Sequence, residues 1–248
     1  MSSPREESIS KPLLIIKAGS TFAGIRQAHG DFEDWFVQRI QPLGLTCLVI
    51  EPPAGGVLPD QSEVAGVLVT GSPAMVSDRE DWSELTAAWL KAAVEGGLPV
   101  LGVCYGHQLL AHALGGKVDY HPQGREIGTW PVTLHEEAAD DRLFQAMPRE
   151  FKVHLTHAQS VVELPNGAQL LASTEFEACQ AFRVGNQAWG VQFHPEFNGE
   201  IMREYITTFA PQLREEGKNP EELLAAVDET PLAQNLLERF AALAMEHS

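Results

Sequence analysis

Pro99-Val-Leu-Gly-Val-Cys-Tyr-Gly-His-Gln108 is the stretch of this sequence that decides the fold. An apolar strand pattern runs into Gly102-x-Cys104-x-Gly106, and a helical pattern follows at once. This arrangement is typical of a nucleophile elbow in which cysteine replaces serine. Glycines two residues away on each side leave room for a strained backbone at the nucleophile. The turn also places the Cys104 sulfur at the start of a helix, where the helix dipole favours the thiolate.

The ordinary alternative for a free cysteine is a buried, inert structural residue. Two glycines at the right offsets, between a strand and a helix, favour the nucleophile for Cys104. Cys47 lies inside an apolar strand pattern and Cys179 in a β-like stretch, so both are interpreted as structural. Three dispersed cysteines form no disulfide framework and indicate a reducing, cytoplasmic setting.

Short apolar runs on both sides of the elbow predict the strands of a parallel sheet. Runs that are apolar throughout, rather than alternating, are typical of strands buried on both faces. They lie at residues 13–17, 46–50, 66–70, 99–103 and 189–193. In the segment 126–188, further β-like runs between turn residues predict an antiparallel addition to this sheet.

Helical patterns separate the apolar runs. Asp31 is predicted to cap a helix with one apolar stripe, formed by Phe32, Trp35, Phe36 and Ile40. A helix that begins at Asp81 or Ser83 is predicted to have its stripe at Leu85, Ala88, Trp89 and Ala92. The alternation predicts an α/β, flavodoxin-like fold: a doubly wound, mostly parallel central sheet with helices on both faces and an antiparallel β extension.

The length of 248 residues favours one large domain. We predict a disordered N-terminal tail at residues 1–11, the α/β domain at residues 12–212, and a helical C-terminal extension at residues 213–248 packed on the same domain. No apolar run approaches the roughly 20 residues of a membrane-spanning helix, and the start of the chain lacks the features of a signal peptide. A soluble, cytoplasmic protein is therefore expected.

The charge of the chain disfavours one class of partner. There are 34 acidic against 17 basic side chains, for a formal net charge of −17. Such a field repels a phosphate backbone, so nucleic acid is not an expected partner. The lack of a long apolar run means that no membrane is expected as a partner either. The sequence leaves the oligomeric state open.

His194 differs from the other eight of the nine histidines because it ends the apolar run 189–193 and precedes Pro195-Glu196. The carboxyl ends of parallel strands converge on one edge of a sheet, so we expect His194 beside Cys104. Pro195 stiffens the turn, and the Glu196 carboxylate is placed to fix the imidazole tautomer. A plain strand-ending turn is the alternative for this motif alone. Together with the elbow, it predicts a Cys-His-Glu catalytic triad.

Gly102-Val-Cys104-Tyr-Gly106-His-Gln108 followed by His194-Pro195-Glu196 resembles the class I, or triad, glutamine amidotransferases. The similarity extends from about residue 13 to about residue 209. It is closest to the glutaminase domain of GMP synthases and to free-standing relatives such as γ-glutamyl peptidases. The resemblance implies cysteine-dependent hydrolysis of the glutamine γ-amide, which releases ammonia and glutamate through a γ-glutamyl thioester, with no metal and no cofactor.

The resemblance also implies an oxyanion hole and a substrate pocket. The oxyanion donors would be the backbone N–H groups of Gly71, Ser72 and Tyr105. The substrate-binding residues would be Gln108, Thr156, His157 and Ala158. The stretch Thr156-His157-Ala158-Gln159 departs from the GMP synthase pattern, which has Ser-His-Gly-Asp there, and the expected acidic residue is absent.

Two alternatives remain beside the glutaminase. One is a stand-alone γ-glutamyl hydrolase or peptidase that acts on γ-glutamyl conjugates. The other, from a different class, is a non-catalytic regulatory binding module, which retention of all three triad residues disfavours. Because no synthetase-like segment follows the helical tail in this sequence, we expect either a separate synthetase subunit that accepts the ammonia, or simple hydrolysis.

Overall fold

A nine-stranded mixed sheet organises the molecule, which a computed structural model describes over residues 11–247. The strands are β1 (Leu13–Ile16), β2 (Cys47–Ile50), β3 (Gly66–Val69), β4 (Val100–Val103), β5 (Lys117–Tyr120), β6 (Glu126–Leu134), β7 (Glu150–His157), β8 (Gln159–Glu163), β9 (Gln169–Ser173), β10 (Ala181–Val184) and β11 (Ala188–Val191). The helices are α1 (Ala23–His29), α2 (Phe32–Ile40), α3 (Asp81–Glu95), α4 (Tyr105–Ala113), α5 (Gly199–Glu215), α6 (Pro220–Ala225) and α7 (Pro231–Met245).

The sheet has a parallel half and an antiparallel half. Its strand order is β2-β1-β3-β4-β11-β10-β9-β6-β7. Neighbours from β2 to β11 pair in parallel, and all pairs from β11–β10 onward are antiparallel. β5 and β8 form a separate antiparallel ribbon. The predicted α/β fold with its antiparallel extension is confirmed.

Helices cover both faces of the parallel half, which explains its uninterrupted apolar strands. In β1, Leu13 and Ile15 join one apolar cluster with residues of α2 and α7, while Leu14 and Ile16 join another with residues of α3 and α4. Because successive strand residues point to opposite faces, a strand covered on both sides needs apolar residues at every position.

Two predictions of burial are wrong. β2 lies at the edge of the sheet, and its Leu48 and Val49 are 37% and 39% exposed, so the run 46–50 is not buried on both faces. On α3, Leu85 is 72% exposed, and the buried side carries Ser83, Thr86, Ala87, Leu90 and Ala93 instead. These mostly small side chains allow α3 to approach α4, where Ser83 Oγ and the Tyr105 hydroxyl share a 2.6 Å hydrogen bond.

The ends of the domain can be placed only in part. Apart from Lys11, the tail predicted at residues 1–11 lies outside the described residues. α5 ends at Glu215 and therefore crosses the predicted boundary at residue 212. Beyond it, α7 packs its apolar face into the same cluster as β1 and α2. None of the described helices is long and apolar enough to cross a membrane.

Candidate active site

Cys104 sits in a strained turn between β4 and α4. Its φ of 52° and ψ of −103° lie outside the conformations that residues with side chains usually adopt. Its backbone N–H donates a 2.9 Å hydrogen bond to the Val191 carbonyl, at the end of β11. A Cβ atom on Gly106 would lie 2.5 Å from the Val69 carbonyl oxygen, and one on Gly102 would collide with the Gly106 carbonyl. Only glycine therefore fits at positions 102 and 106, two residues before and two residues after Cys104.

His194 follows β11 and lines the same cavity as Cys104. Its Nδ1 lies 2.7 Å from Glu196 Oε1, and both side chains are almost fully buried. Its ring stacks on Phe197, with 4.1 Å between the centroids. Nε2 is buried and forms no hydrogen bond within residues 11–247. One imidazole nitrogen is thus oriented by the carboxylate, while the other is available for chemistry.

The charges around His194 keep it protonated. Burial alone would lower its pKa, but the negative charges of Glu196 and of Cys104 outweigh this effect and raise the pKa of His194 to about 10. His154 behaves in the opposite way, because burial and the nearby charge of His194 lower its pKa to about 4. At neutral pH a charged His194 therefore lies beside a neutral His154.

The loop after β3 is fixed by hydrogen bonds from two of its side chains. Thr70 Oγ1 accepts from the Ala18 N–H at 3.0 Å and donates to the Gly71 carbonyl at 2.8 Å. Ser72 Oγ donates to the Ala18 carbonyl at 2.8 Å. Among the described residues, no acceptor pairs with the backbone N–H groups of Gly71, Ser72 and Tyr105. These N–H groups are the ones that the sequence predicts as oxyanion donors.

Gln108 and Thr156 lie beside Cys104. The Gln108 side-chain amide donates to the Gln159 carbonyl at 2.7 Å and to Gln192 Oε1 at 2.9 Å, which fixes its orientation. The Thr156 carbonyl oxygen is 3.7 Å from Cys104 Sγ. Both residues line the cavity, as do Ala158 and the next residue, Gln159.

His157 also borders the cavity, but its imidazole is tied to the protein. Nδ1 donates to the Gln159 carbonyl at 2.9 Å, and Nε2 shares a 2.8 Å hydrogen bond with Glu126 Oε2. With both ring nitrogens engaged, His157 holds the turn between β7 and β8 rather than offering a free hydrogen-bonding group.

The cavity above Cys104 has a volume of about 470 Å³. Its wall includes residues that the sequence does not single out: Phe22, Met75, Arg125, Tyr205 and Phe209. Arg125 precedes β6 in a polar loop, and no motif marks it. Over residues 11–247, no group of three or more His, Cys, Asp or Glu side chains is arranged to hold a metal ion.

Comparison with known proteins gives a consistent family. The profile of glutamine amidotransferase class-I matches residues 26–210. A glutamine-hydrolysing GMP synthase of Porphyromonas gingivalis is 38% identical over 164 residues, which cover 64% of this chain and 30% of that protein. The enzyme of the same name from Aeropyrum pernix is 30% identical over 208 residues, covering 80% and 38%. The chain thus spans about a third of the length of these curated relatives.

Solved structures share the fold. A glutamine amidotransferase from Thermotoga maritima superposes with a TM-score of 0.73 at 23% identity, covering 96% of this chain and 99% of that one. A glutamine amidotransferase from Methylobacillus flagellatus gives the same TM-score and identity, covering 94% and 92%. At this identity the similarity establishes the architecture.

Proposed function

This chain belongs to the class I glutamine amidotransferase family, and on that premise we propose that it hydrolyses the γ-amide of glutamine through Cys104, His194 and Glu196. One observation carries the proposal. The strained Cys104 shares its cavity with a His194 that Glu196 orients from the far side of the ring at 2.7 Å. A cysteine, a histidine and an orienting carboxylate are the parts of a nucleophilic triad.

In the first half of the reaction, the Cys104 thiolate attacks the γ-carbonyl carbon and a tetrahedral oxyanion forms. The N–H groups of Gly71, Ser72 and Tyr105 stabilise that oxyanion. His194 transfers the proton on Nε2 to the amide nitrogen, the C–N bond breaks, and ammonia leaves. A γ-glutamyl thioester remains on Cys104.

In the second half, water replaces ammonia. Neutral His194 takes a proton from the water as its oxygen attacks the thioester carbonyl. The C–S bond breaks, glutamate leaves, and the thiolate–imidazolium pair is restored. Glu196 keeps the ring in one orientation through both halves and stabilises its charged form.

We further propose that the ammonia passes to a synthetase unit in a separate subunit. The support is that the GMP synthases similar to this chain are named as glutamine-hydrolysing enzymes and extend well beyond the matched segment. The size of the cavity favours a second candidate, a stand-alone γ-glutamyl hydrolase. A cavity of about 470 Å³ is of the size that takes a drug-sized ligand, and glutamine has only about ten non-hydrogen atoms.

Release of glutamate and ammonia from glutamine, and from γ-glutamyl peptides in parallel, tests the proposal. Cys104→Ala should lower kcat by about 10⁴-fold or more on any substrate that the protein hydrolyses, because the nucleophile is lost. Cys47→Ser, at a half-buried position on the edge strand β2, is the matched control and should leave kcat within about twofold.

Two results separate the candidates, and a third tests the nucleophile that they share. Turnover of free glutamine supports the glutaminase, and preference for the peptides supports the hydrolase. Substantial hydrolysis by Cys104→Ala protein would refute the assigned nucleophile.

A further inference from the structure

Arg125 is an unpaired cation in the wall of the cavity. Within residues 11–247 its guanidinium forms no ion pair, and its buried Nε has no hydrogen-bond partner. The chain carries twice as many acidic as basic side chains, 34 against 17. Carboxylates that could pair with Arg125 are therefore not scarce in this protein. At its place in the cavity wall, however, Arg125 has no carboxylate of residues 11–247 close enough to form an ion pair.

The backbone and side chain of Arg125 are both held in place. The next residue, Glu126, starts β6 and pairs with His157 of β7. The Arg125 carbonyl accepts a hydrogen bond from Lys218 Nζ. Its guanidinium lies over the ring of Phe209, 4.1 Å from the centroid, in a cation–π contact. The cation is therefore positioned before any ligand arrives.

The surroundings of Arg125 leave its guanidinium without a contacting counter-ion in residues 11–247. No aspartate or glutamate is among the residues that line the cavity. Glu216 and the negative charge at Cys104 act on Arg125 electrostatically, but neither forms an ion pair or hydrogen bond with its guanidinium within residues 11–247, and the Glu216 carboxylate is paired with Lys218 Nζ at 3.1 Å. Burial lowers the pKa of Arg125, which reflects the cost of removing this charge from water. A counter-ion that contacts the guanidinium would offset this cost.

We infer that Arg125 binds a carboxylate of the substrate and thereby selects anionic γ-glutamyl compounds. This inference rests on the proposed function for its substrate class. The planar guanidinium matches a carboxylate through two parallel hydrogen bonds. Such a carboxylate has two sources: the α-carboxylate of the γ-glutamyl group, or a carboxylate on the amine that leaves. The chemistry at Arg125 is the same for both.

A cycle that removes each partner in turn tests the contact and identifies its source. Arg125→Gln would be assayed on glutamine against its α-carboxamide analogue, and on γ-glutamylglycine against γ-glutamylglycinamide. We expect a loss in kcat/KM of about 10- to 100-fold on substrates with the contacted carboxylate, and less than about twofold on the matching neutral amide. A loss on glutamine, γ-glutamylglycine and γ-glutamylglycinamide, but not on the α-carboxamide analogue, assigns the α-carboxylate. Loss confined to γ-glutamylglycine assigns the leaving group.

Two control variants separate recognition from general damage. Arg142→Gln removes the same charge from an exposed arginine that pairs with Glu246, and it should leave all four kcat/KM values unchanged. Arg125→Lys keeps the charge without the planar fork and should recover part of the loss. If Arg125→Gln does not fold, Phe209→Leu, which removes the stacking surface, provides the same comparison in weaker form. An equal loss on all four substrates, or no loss on any of them, would overturn the inference.

Binding to a protein that cannot turn over makes the test independent of catalysis. Calorimetric titration of Cys104→Ala protein with γ-glutamylglycine, and separately with glutamate, should give a Kd that rises about 10- to 100-fold when Arg125→Gln is added. If no γ-amide is hydrolysed but this binding depends on Arg125, the proposed function fails and the inference stands. If hydrolysis occurs and binding ignores Arg125, the inference fails alone.

Discussion

The two halves of the sheet contribute different things to the cavity. The parallel half places Cys104 after β4, His194 after β11 and the Gly71 loop after β3, so it supplies the groups assigned to bond making and breaking. The antiparallel half contributes Arg125 and the 156–159 turn, which form a wall facing those groups. The reacting groups and the groups proposed to select the substrate thus come from separate structural units.

The two halves also differ in how their key residues are held. Cys104 and His194 are positioned by their own turns, through adjacent glycines and through Glu196 two residues away. The wall is held by side-chain bonds between distant segments, as when Glu126 forms hydrogen bonds with His157 and Gln180. A change in the parallel half should therefore abolish or slow chemistry, whereas one in the wall should alter binding.

The largest effect expected within this comparison comes from Glu196→Gln. Loss of the carboxylate leaves the His194 ring without its charged partner, and we expect kcat to fall about 100-fold. The pH profile should change as well. Glu196 raises the pKa of His194 to about 10. Without its charge, burial lowers that pKa, and Nε2 loses its proton at a lower pH.

The direction of the pH effect follows from the proton on His194. In the native protein this proton is lost as the pH rises through about 10, so kcat/KM should fall on that alkaline side. In Glu196→Gln the fall should begin at lower pH, with only the Cys104 charge still opposing burial, while His154 is neutral throughout. A profile of kcat/KM between neutral and alkaline pH measures this, and an unmoved alkaline limb would contradict the assigned role.

A smaller effect, on stability, is expected from Gly106→Ala. The new Cβ would lie 2.5 Å from the Val69 carbonyl oxygen and 2.7 Å from Val69 Cβ, so α4 must shift away from β3. We expect the free energy of unfolding to fall by about 1–3 kcal/mol in urea titrations. Gly24→Ala in α1 is the matched control, because nothing lies within 4 Å of its Cβ and it should not destabilise the protein. Equal effects of the two variants would contradict the packing argument.

What sequence analysis predicts well is local. Asp31 caps α2, and the predicted stripe of Phe32, Trp35, Phe36 and Ile40 is buried, because the cap and the stripe both lie within ten consecutive residues. The elbow glycines and the His194–Glu196 pair are local patterns of the same kind. The structure brings them to one cavity, and their catalytic roles stay predictions until tested.

What it misses depends on neighbours that are far away in the chain. The buried side of α3 is set by its close approach to α4, which favours Ser83 and Ala87 over the larger Leu85. Arg125 has no motif, because Phe209 and Lys218 create its environment from the other end of the domain. The parallel half was therefore easier to predict than the wall opposite it.

The smallest effect expected is that of Glu126→Gln, and it tests the wall directly. Glu126 Oε2 shares a 2.8 Å hydrogen bond with His157 Nε2 and accepts from Gln180 Nε2 at 2.9 Å, and Oε1 accepts from Thr174 Oγ1 at 3.3 Å. A glutamine side chain keeps one oxygen that accepts hydrogen bonds, but its second group is an NH2, which can only donate. One of the present hydrogen bonds of the carboxylate is therefore lost. The turn that follows β7 should then be less well fixed, although no group assigned to the chemistry has moved.

We therefore expect Glu126→Gln to raise KM for the best substrate by about threefold and to leave kcat within about twofold. Steady-state kinetics on the same substrate measure both quantities. Glu163→Gln is the matched control. It lies at an exposed position on β8, the strand that follows the same turn, and should change neither quantity. A fall in kcat with unchanged KM would mean that the wall also positions Cys104, since the Thr156 carbonyl lies 3.7 Å from its sulfur. The division between a reacting half and a selecting half would then no longer hold.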